Sequence, residues 1–251
     1  MPASSASLGK ALDAMSQFFV GEATLHETLE RVSRLACETV PATAMVGITM
    51  LVDGKASTAV FTDEEAPEID TAQYETGIGP CLGAFRHQRP YRIEDTEHDR
   101  QWPPFSKAAA SHGIRSSMSL PLLARHEAIG ALNFYARSAN GFSDDDVEVG
   151  QQFAAHAAIV LANSQAYSDA QQLGEDLAQA MKSRATIEQA KGILMAAQHC
   201  RPDEAFQVLV RASQRENRKL RDLAEEIVVR TSSRKATGPL ESQPTETSRT
   251  D

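Results

Sequence analysis

The chain has 251 residues and a formal net charge of −9. That length is too great for one small domain and suits a sensor-sized domain followed by a small effector. The charge is uneven: residues 181–230 hold ten Lys and Arg against seven Asp and Glu while the body before them is acidic, so only the C-terminal part has any claim on a polyanion.

Cys37, Cys81 and Cys200 are odd in number and lack CxxC spacing, which excludes a disulfide framework or a zinc ribbon and fits a reducing compartment. The N-terminal residues form no signal-type apolar run, and no segment approaches the roughly 18 apolar residues of a membrane span. A soluble cytoplasmic protein is expected.

In chain order, Leu25, Leu29, Val32, Leu35, Ala36 and Thr39 recur at helical spacing, predicting a helix over 24–40 that ends at Pro41. Residues 44–52 read as a strand, Asp53-Gly54 as a hairpin turn and 55–62 as the partner strand. Strands over 117–123 and 128–136 form a second hairpin around Ala124-Arg125-His126-Glu127. Neighbours pair, so the sheet is antiparallel. Between the hairpins, Tyr74 to Arg115 is long and rich in Gly and Pro, a region that either carries function or holds helices of its own.

Ser143 before three Asp residues is a helix N-cap, and the helix it opens does not obviously stop. Ile159, Asn163, Ala166, Ala170, Leu173, Leu177 and Ala180 alternate steps of four and three, the mean spacing of a coiled-coil seam. Against pairing stand the Ala and Asn positions and Gly174, which costs about 1 kcal/mol of helix propensity. Beyond Val229 almost no large apolar residue remains, and 231–251 is expected to be disordered.

Residues 184–224 read as three short helices. The first has a core arc of Ile187, Ala190, Ile193, Leu194 and Ala197, with Arg184, Glu188, Lys191 and Met195 on another arc. Gly192 in a helix interior implies close approach of a neighbouring helix or of a ligand backbone. Pro202 opens the second helix, whose predicted inner face is Phe206, Leu209, Val210 and Ser213. Asn217 is expected to cap the third, with Leu220, Leu223, Ala224, Ile227 and Val228 inward. Arg215, Arg218 and Lys219 cluster at the turn before it.

The order Ile187, Ala190-Lys191-Gly192, Leu194-Met195, Glu204-Ala205-Phe206, Leu209, Ser213, Asn217, Leu220, Asp222, Ala224 resembles the ANTAR family of RNA-binding transcription antitermination regulators. The resemblance spans 168–229 and includes part of the linker helix. It departs at Arg201, where a Ser or Thr cap is expected, and this should weaken the second helix. The resemblance implies a homodimer that binds paired hairpins in nascent leader RNA and keeps a terminator from forming. Arg184, Lys191, Gly192, Arg215, Arg218 and Lys219 are then the RNA-binding candidates, because RNA loops offer phosphates to Lys and Arg and unstacked bases to planar or hydrogen-bonding groups.

Upstream, Gly77-Ile78-Gly79-Pro80-Cys81, Asp95, Trp102-Pro103, Gly113-Ile114, Ser119-Leu120-Pro121-Leu122 and Gly130-Ala131-Leu132-Asn133 resemble a GAF domain over 24–166. That implies a sensory six-stranded antiparallel sheet flanked by helices, around a pocket that takes a small molecule or nothing. The Asn-Lys signature of cyclic-nucleotide-binding members is missing, and the scattered His87, His98, His112, His126 and His156 lack metal-site spacing. Cofactors therefore stay open, none is required, and no metal site is expected. Cys81, at the edge of the presumed pocket, is the ligand-site candidate, with buried packing as its plainer role.

The expected class is α+β: a GAF-type sheet, a coiled-coil linker helix and a C-terminal three-helix unit. The expected function is a regulator in which a signal at the first domain sets RNA binding by the last. A DNA-binding regulator is the alternative, weakened by Asp222, Glu225 and Glu226 along the third helix. No glycine loop for nucleotides, metal-ligand pair or nucleophile with an adjacent base supports an enzyme.

Overall fold

The computed structural model describes residues 5–18, 21–52 and 55–235. In chain order these form α1 (Ser5–Ser16), α2 (Leu25–Thr39), β1 (Met45–Val52), β2 (Lys55–Phe61), α3 (Glu65–Thr76), α4 (Pro80–His87), β3 (Tyr91–Ile93), α5 (Pro103–Ser111), β4 (Ser116–Ala124), β5 (Glu127–Ala136), α6 (Asp144–Gln198), α7 (Pro202–Glu216) and α8 (Leu220–Lys235). The chain divides into two compact units, one running through Ala170 and the other beginning at Gln171.

In the first unit the sheet order is β2-β1-β5-β4-β3, with every neighbouring pair antiparallel. Five strands lie among the described residues, one fewer than the resemblance implies. The predicted turn at Asp53-Gly54 lies outside the described residues. Alternation sorts each strand between two cores. Val46 and Ile48 of β1 and Leu132 and Phe134 of β5 face Leu29, Val32 and Ala36 of α2 and Phe153, Ala157 and Leu161 of α6. Met45 and Tyr135 face the other way, onto Ile69, Trp102, Phe105 and Ile114.

Caps fix where the helices begin. Thr24 accepts from the Glu27 N–H (3.2 Å), and the Glu27 carboxylate accepts from the Thr24 N–H (2.7 Å), a reciprocal capping box. Ser143 and Asp146 repeat the exchange at the start of α6, at 3.2 and 2.8 Å. The long Gly- and Pro-rich region holds α4, β3 and α5, so it is structured rather than an open loop.

The turn joining β4 to β5 needs only Arg125 and His126, both with positive φ (50° and 69°). Side chains with a Cβ pay for that geometry, Asn among the least, and Gly adopts it freely. Arg125→Asn with His126→Gly is expected to stabilise the first unit by about 1 kcal/mol, read as a higher urea midpoint with an unchanged slope.

The helix opened at Ser143 runs unbroken for 55 residues. What reads in sequence as the first of three short C-terminal helices is therefore the end of α6, because no Pro or cap interrupts it before Gln198. The second unit has a small core of Ala190, Leu209 and Ala224, lined by Ile187, Leu194, Leu220, Ile227 and Val228. Phe206 is a correction: it stays 37% exposed while Ala205 takes the buried place beside Leu209. Asn217 is a second one, since its left-handed backbone (φ 49°, ψ 41°) closes α7 rather than opening α8. Arg201 does stand at the N-cap of α7, where its N–H donates to Glu204 Oε2 at 2.8 Å. A guanidinium has no acceptor, so the other half of the box is unmade. α8 runs through Lys235, five residues into the stretch expected to be disordered, and 236–251 lie outside the described residues.

Candidate functional site

In the first unit, polar side chains gather on the sheet face beneath α3 and α4. The register sets Asn133 opposite Gly47 and Tyr135 opposite Ser117, so Thr49, Ser117, Asn133 and Tyr135 rise from one face. On α3 the buried stripe is Ala66, Ile69, Asp70 and Gln73, which lowers a carboxylate onto those strands. Asp70 Oδ1 accepts from Tyr135 OH (2.6 Å) and Gln73 Nε2 (2.7 Å), and Oδ2 accepts from Thr58 Oγ1 (2.8 Å). The Tyr74 hydroxyl lies 2.8 Å from Thr58 Oγ1 and 2.9 Å from Thr49 Oγ1. Asn133 Nδ2 and the Cys81 thiol both donate to Thr49 Oγ1, at 3.0 and 3.1 Å.

Burial raises the Asp70 carboxyl to about 6, against hydrogen bonds from Tyr135, Thr58, Gln73 and Tyr74 that lower it. Burial also pushes the Cys81 thiol up to about 12, with the Asp70 charge adding to the effect. Cys81 is thus a neutral donor inside the network, not an activated nucleophile. It is held there by Gln73 Oε1, which accepts from its N–H at 3.1 Å. A Cβ on Gly79 would sit 2.4 Å from Gln73 Cβ, so only glycine lets the chain pass so close. Two buried polar atoms of this face, Ser117 Oγ and Asn133 Oδ1, have no hydrogen-bond partner among the described residues. They are where a small polar ligand would find hydrogen bonds unmade.

Of these residues the sequence marked Cys81 as a site candidate, and Gly79 and Asn133 only as members of the GAF-like strings. The signal for the others was Asp70 at the same helical face as Ala66, Ile69 and Gln73, an acid where an apolar residue is the norm. The histidines stay outside the network: His87 pairs with Tyr91, His98 with Asp95 and His112 with Glu68. Among the described residues no three His, Cys, Asp or Glu side chains converge to hold a metal.

In the second unit the six sequence-predicted RNA contacts divide by their partners. Lys191 Nζ is bound to both oxygens of Glu188 (2.9 and 3.0 Å), is 18% exposed and stands 6.0 Å from the Phe206 ring centroid. Arg215 pairs with Glu216 at 3.1 Å. Arg218 reaches Glu226 at 2.8 Å and Glu216 at 3.6 Å, and its hydrogen bond, with Arg230 nearby, holds the Glu226 carboxyl below its ordinary range. Arg184 and Lys219 are exposed and have no carboxylate within 4.0 Å among the described residues. A Cβ on Gly192 would meet nothing within 4 Å, so packing inside this chain does not require that glycine. Arg184, Lys191 and Gly192 share the end of α6, while Arg215, Arg218 and Lys219 gather at the α7–α8 turn.

Residues 22–162 match the GAF domain family, and residues 175–228 match the ANTAR domain family. The chain belongs to the GAF family and carries an ANTAR domain. No curated protein matches it. Similar solved structures include the GAF domain from a phosphoenolpyruvate-protein phosphotransferase of Coxiella burnetii, at 16% identity over 65% of this chain and 98% of that one, with a TM-score of 0.51. Another is fRMsr of Staphylococcus aureus in its reduced form, at 17% identity over 64% and 96%, with a TM-score of 0.50. A third is a domain of a two-component sensor histidine kinase protein from Sinorhizobium meliloti 1021, at 12% identity over 60% and 99%, with a TM-score of 0.50. At such identities the likeness is one of fold.

The network around Asp70 therefore lies inside the GAF domain and the cationic end of α6 inside the ANTAR domain. Both domain types are regulatory: the first belongs to sensors, the second to RNA-binding antitermination regulators. Among the described residues no helix is long and apolar enough to cross a membrane.

Proposed function

We propose that the protein is a non-enzymatic cytoplasmic regulator whose ANTAR domain binds hairpins in nascent leader transcripts, as a homodimer, and so favours transcription antitermination under control of a signal at the GAF domain. The observation that carries this reading is the pair Arg184 and Lys219, exposed cations without acidic partners among the described residues, in a domain of RNA-binding type. Lys191, Arg215 and Arg218 are already neutralised locally, so they supply less attraction and more shape. Gly192, with open space above it, leaves room for a nucleic acid backbone.

The seam supports the dimer. Ile159, Asn163, Ala166, Ala170, Leu173, Leu177 and Ala180 are all exposed in the single chain, and Leu173 and Leu177 are 70% and 61% accessible. α6 carries core residues of the GAF domain (Phe153, Leu161), then this seam, then Ala190 of the ANTAR core. A change in seam pairing would thus reach the RNA-binding end through one helix. The signal itself is assigned to a small molecule at the sheet face beneath α3 and α4, where the buried Asn133 Oδ1 and Ser117 Oγ have no hydrogen-bond partner among the described residues.

Gel-shift titration of the full chain against hairpin RNA tests the reading. Arg184→Ala with Lys219→Ala is expected to weaken binding about tenfold or more and to lower the salt slope by about 1.4, at roughly 0.7 per single-stranded phosphate contact. Lys191→Ala alone should also weaken binding while leaving helicity intact. Unchanged affinity in the double variant removes both cations from the site. Competition by duplex DNA as effective as that by hairpin RNA would transfer the reading to a DNA regulator.

A further inference from the structure

A second feature of the ANTAR domain lies away from the Lys191 face. Gln179, Lys182, Ser183 and Thr186, one face of α6, stand against Arg221, Asp222 and Glu225 of the first turns of α8 and line an open polar cleft of about 200 Å³. Part of its bonding capacity is committed. Gln179 Nε2 donates to Ser183 Oγ (3.3 Å), Thr186 Oγ1 to the Lys182 carbonyl (3.0 Å) and Arg221 Nε to Asp222 Oδ1 (3.3 Å). The rest is open: among the described residues Lys182 Nζ has no carboxylate within 4.0 Å, and the Glu225 carboxylate, Asp222 Oδ2 and Gln179 Oε1 accept no hydrogen bond.

That combination is the wrong one for a groove that only tracks phosphates, because two carboxylates repel them. It suits a single nucleotide. A cation holds the phosphate while carboxylate and amide oxygens accept N–H groups along a base edge, as acidic side chains accept from the cytosine amino group. Single-stranded RNA presents such edges when a base leaves the stack. The cleft is smaller than the roughly 300 Å³ at which sites for drug-sized ligands begin, and its lining is polar throughout. Resting on the RNA-binding reading above, we propose that this cleft receives one unpaired, amino-bearing base (adenine, cytosine or guanine) of the RNA loop, with Asp222 and Glu225 reading its amino edge and Lys182 holding the adjoining phosphate. Uracil, whose only edge donor is an N3–H between two carbonyl oxygens that the carboxylates repel, is disfavoured. Asp222 and Glu225, the residues that weigh against a DNA-recognition helix, become specificity determinants.

Selection by the full chain from stem-loop RNAs with one fixed stem and a randomised loop tests this. The wild-type chain should deplete uracil at one loop position about tenfold or more. Asp222→Asn with Glu225→Gln should return uracil there to parity and leave the preference at other positions unchanged. Because Asp222 also complements the start of α8, Glu225→Gln alone is run beside it and should relax the same position if the double variant loses helical circular dichroism. Lys182→Ala should weaken all selected loops alike and lower the salt slope by about 0.7. Uracil depletion that persists in both carboxylate variants overturns the cleft as a base reader while leaving RNA binding intact. Failure of the wild-type chain to enrich any loop overturns the RNA-binding reading and this inference with it.

Discussion

On the homodimer proposed above, replacing Leu173 and Leu177 with aspartate is expected to hold the protein as a monomer at concentrations where the unaltered chain pairs. Both leucines are mostly exposed on α6, with Ile159 at 57% and Met181 at 66% on the same helix. Apolar groups so exposed at seam spacing gain by meeting a second copy. Burying one leucine contributes about 1.5–3 kcal/mol, and each counts twice in a symmetric pair. Losing four buried leucines removes at least about 6 kcal/mol, a dissociation constant about 10⁴-fold higher, before the repulsion of the new charges is added. Gln171→Asp, well round the helix from Leu173, serves as the control and should leave the dimer intact. Sedimentation equilibrium decides: a double variant that keeps the dimer mass of the parent would take these leucines out of the interface. If RNA binding requires two copies, the double variant also loses hairpin affinity while its ANTAR cations remain in place.

How much of this was legible in sequence depended on what each feature rests upon. Local signals gave the elements with their own punctuation: the β1–β2 and β4–β5 hairpins, the Ser143 cap, the Pro202 start of α7. α3 has a weak helical pattern, since its buried stripe includes Asp70 and Gln73, and it owes its place to the network it makes with β1, β2 and β5. α1 is anchored by Leu8, Ala11 and Met15 with Leu12 packed beside them, a stripe too short to stand out. The ANTAR cations were all visible as charges, but their pairing was not: whether Arg218 is free or bound to Glu226 depends on where one turn of α8 falls. Asn217 shows the same limit from the other side. Asn serves as an N-cap or as a left-handed C-cap, and only the path of the chain after Glu216 selects between them.

Asp70 supplies the second large effect, a stability of the GAF domain that falls as pH rises. The carboxyl titrates at about 6 in the folded chain and near 3.9 when unfolded. Between those values the folded state holds a proton that the unfolded state has lost, so raising the pH favours unfolding. Below about pH 4 both states are protonated and the penalty is absent; above about pH 6 both are ionised and it is complete, at about 3 kcal/mol. Asp70→Asn should abolish this contribution. Its amide oxygen still accepts from Tyr135 and Gln73, and its NH₂ faces Thr58, whose hydroxyl is then free to donate to Tyr74. Urea unfolding followed by the fluorescence of Trp102, the one tryptophan, buried in the core on the same sheet face, reads this domain directly. Glu27 and Asp95, held below their ordinary range, act in the opposite sense, so the quantity to compare is the difference between parent and variant. Equal pH slopes in the two proteins would mean that Asp70 is ionised throughout. A slope confined to the parent would mean more than a titration. Protonated at Oδ2, Asp70 donates to Thr58, Thr58 to Tyr74 and Tyr74 to Thr49, which then cannot accept from both Asn133 and Cys81, whereas the ionised form turns the Thr58 hydroxyl back toward the carboxylate, so that Tyr74 donates to Thr58 and Thr49 to Tyr74. One proton on α3 thereby changes what Thr49 offers to Cys81 and Asn133 without any movement of the backbone.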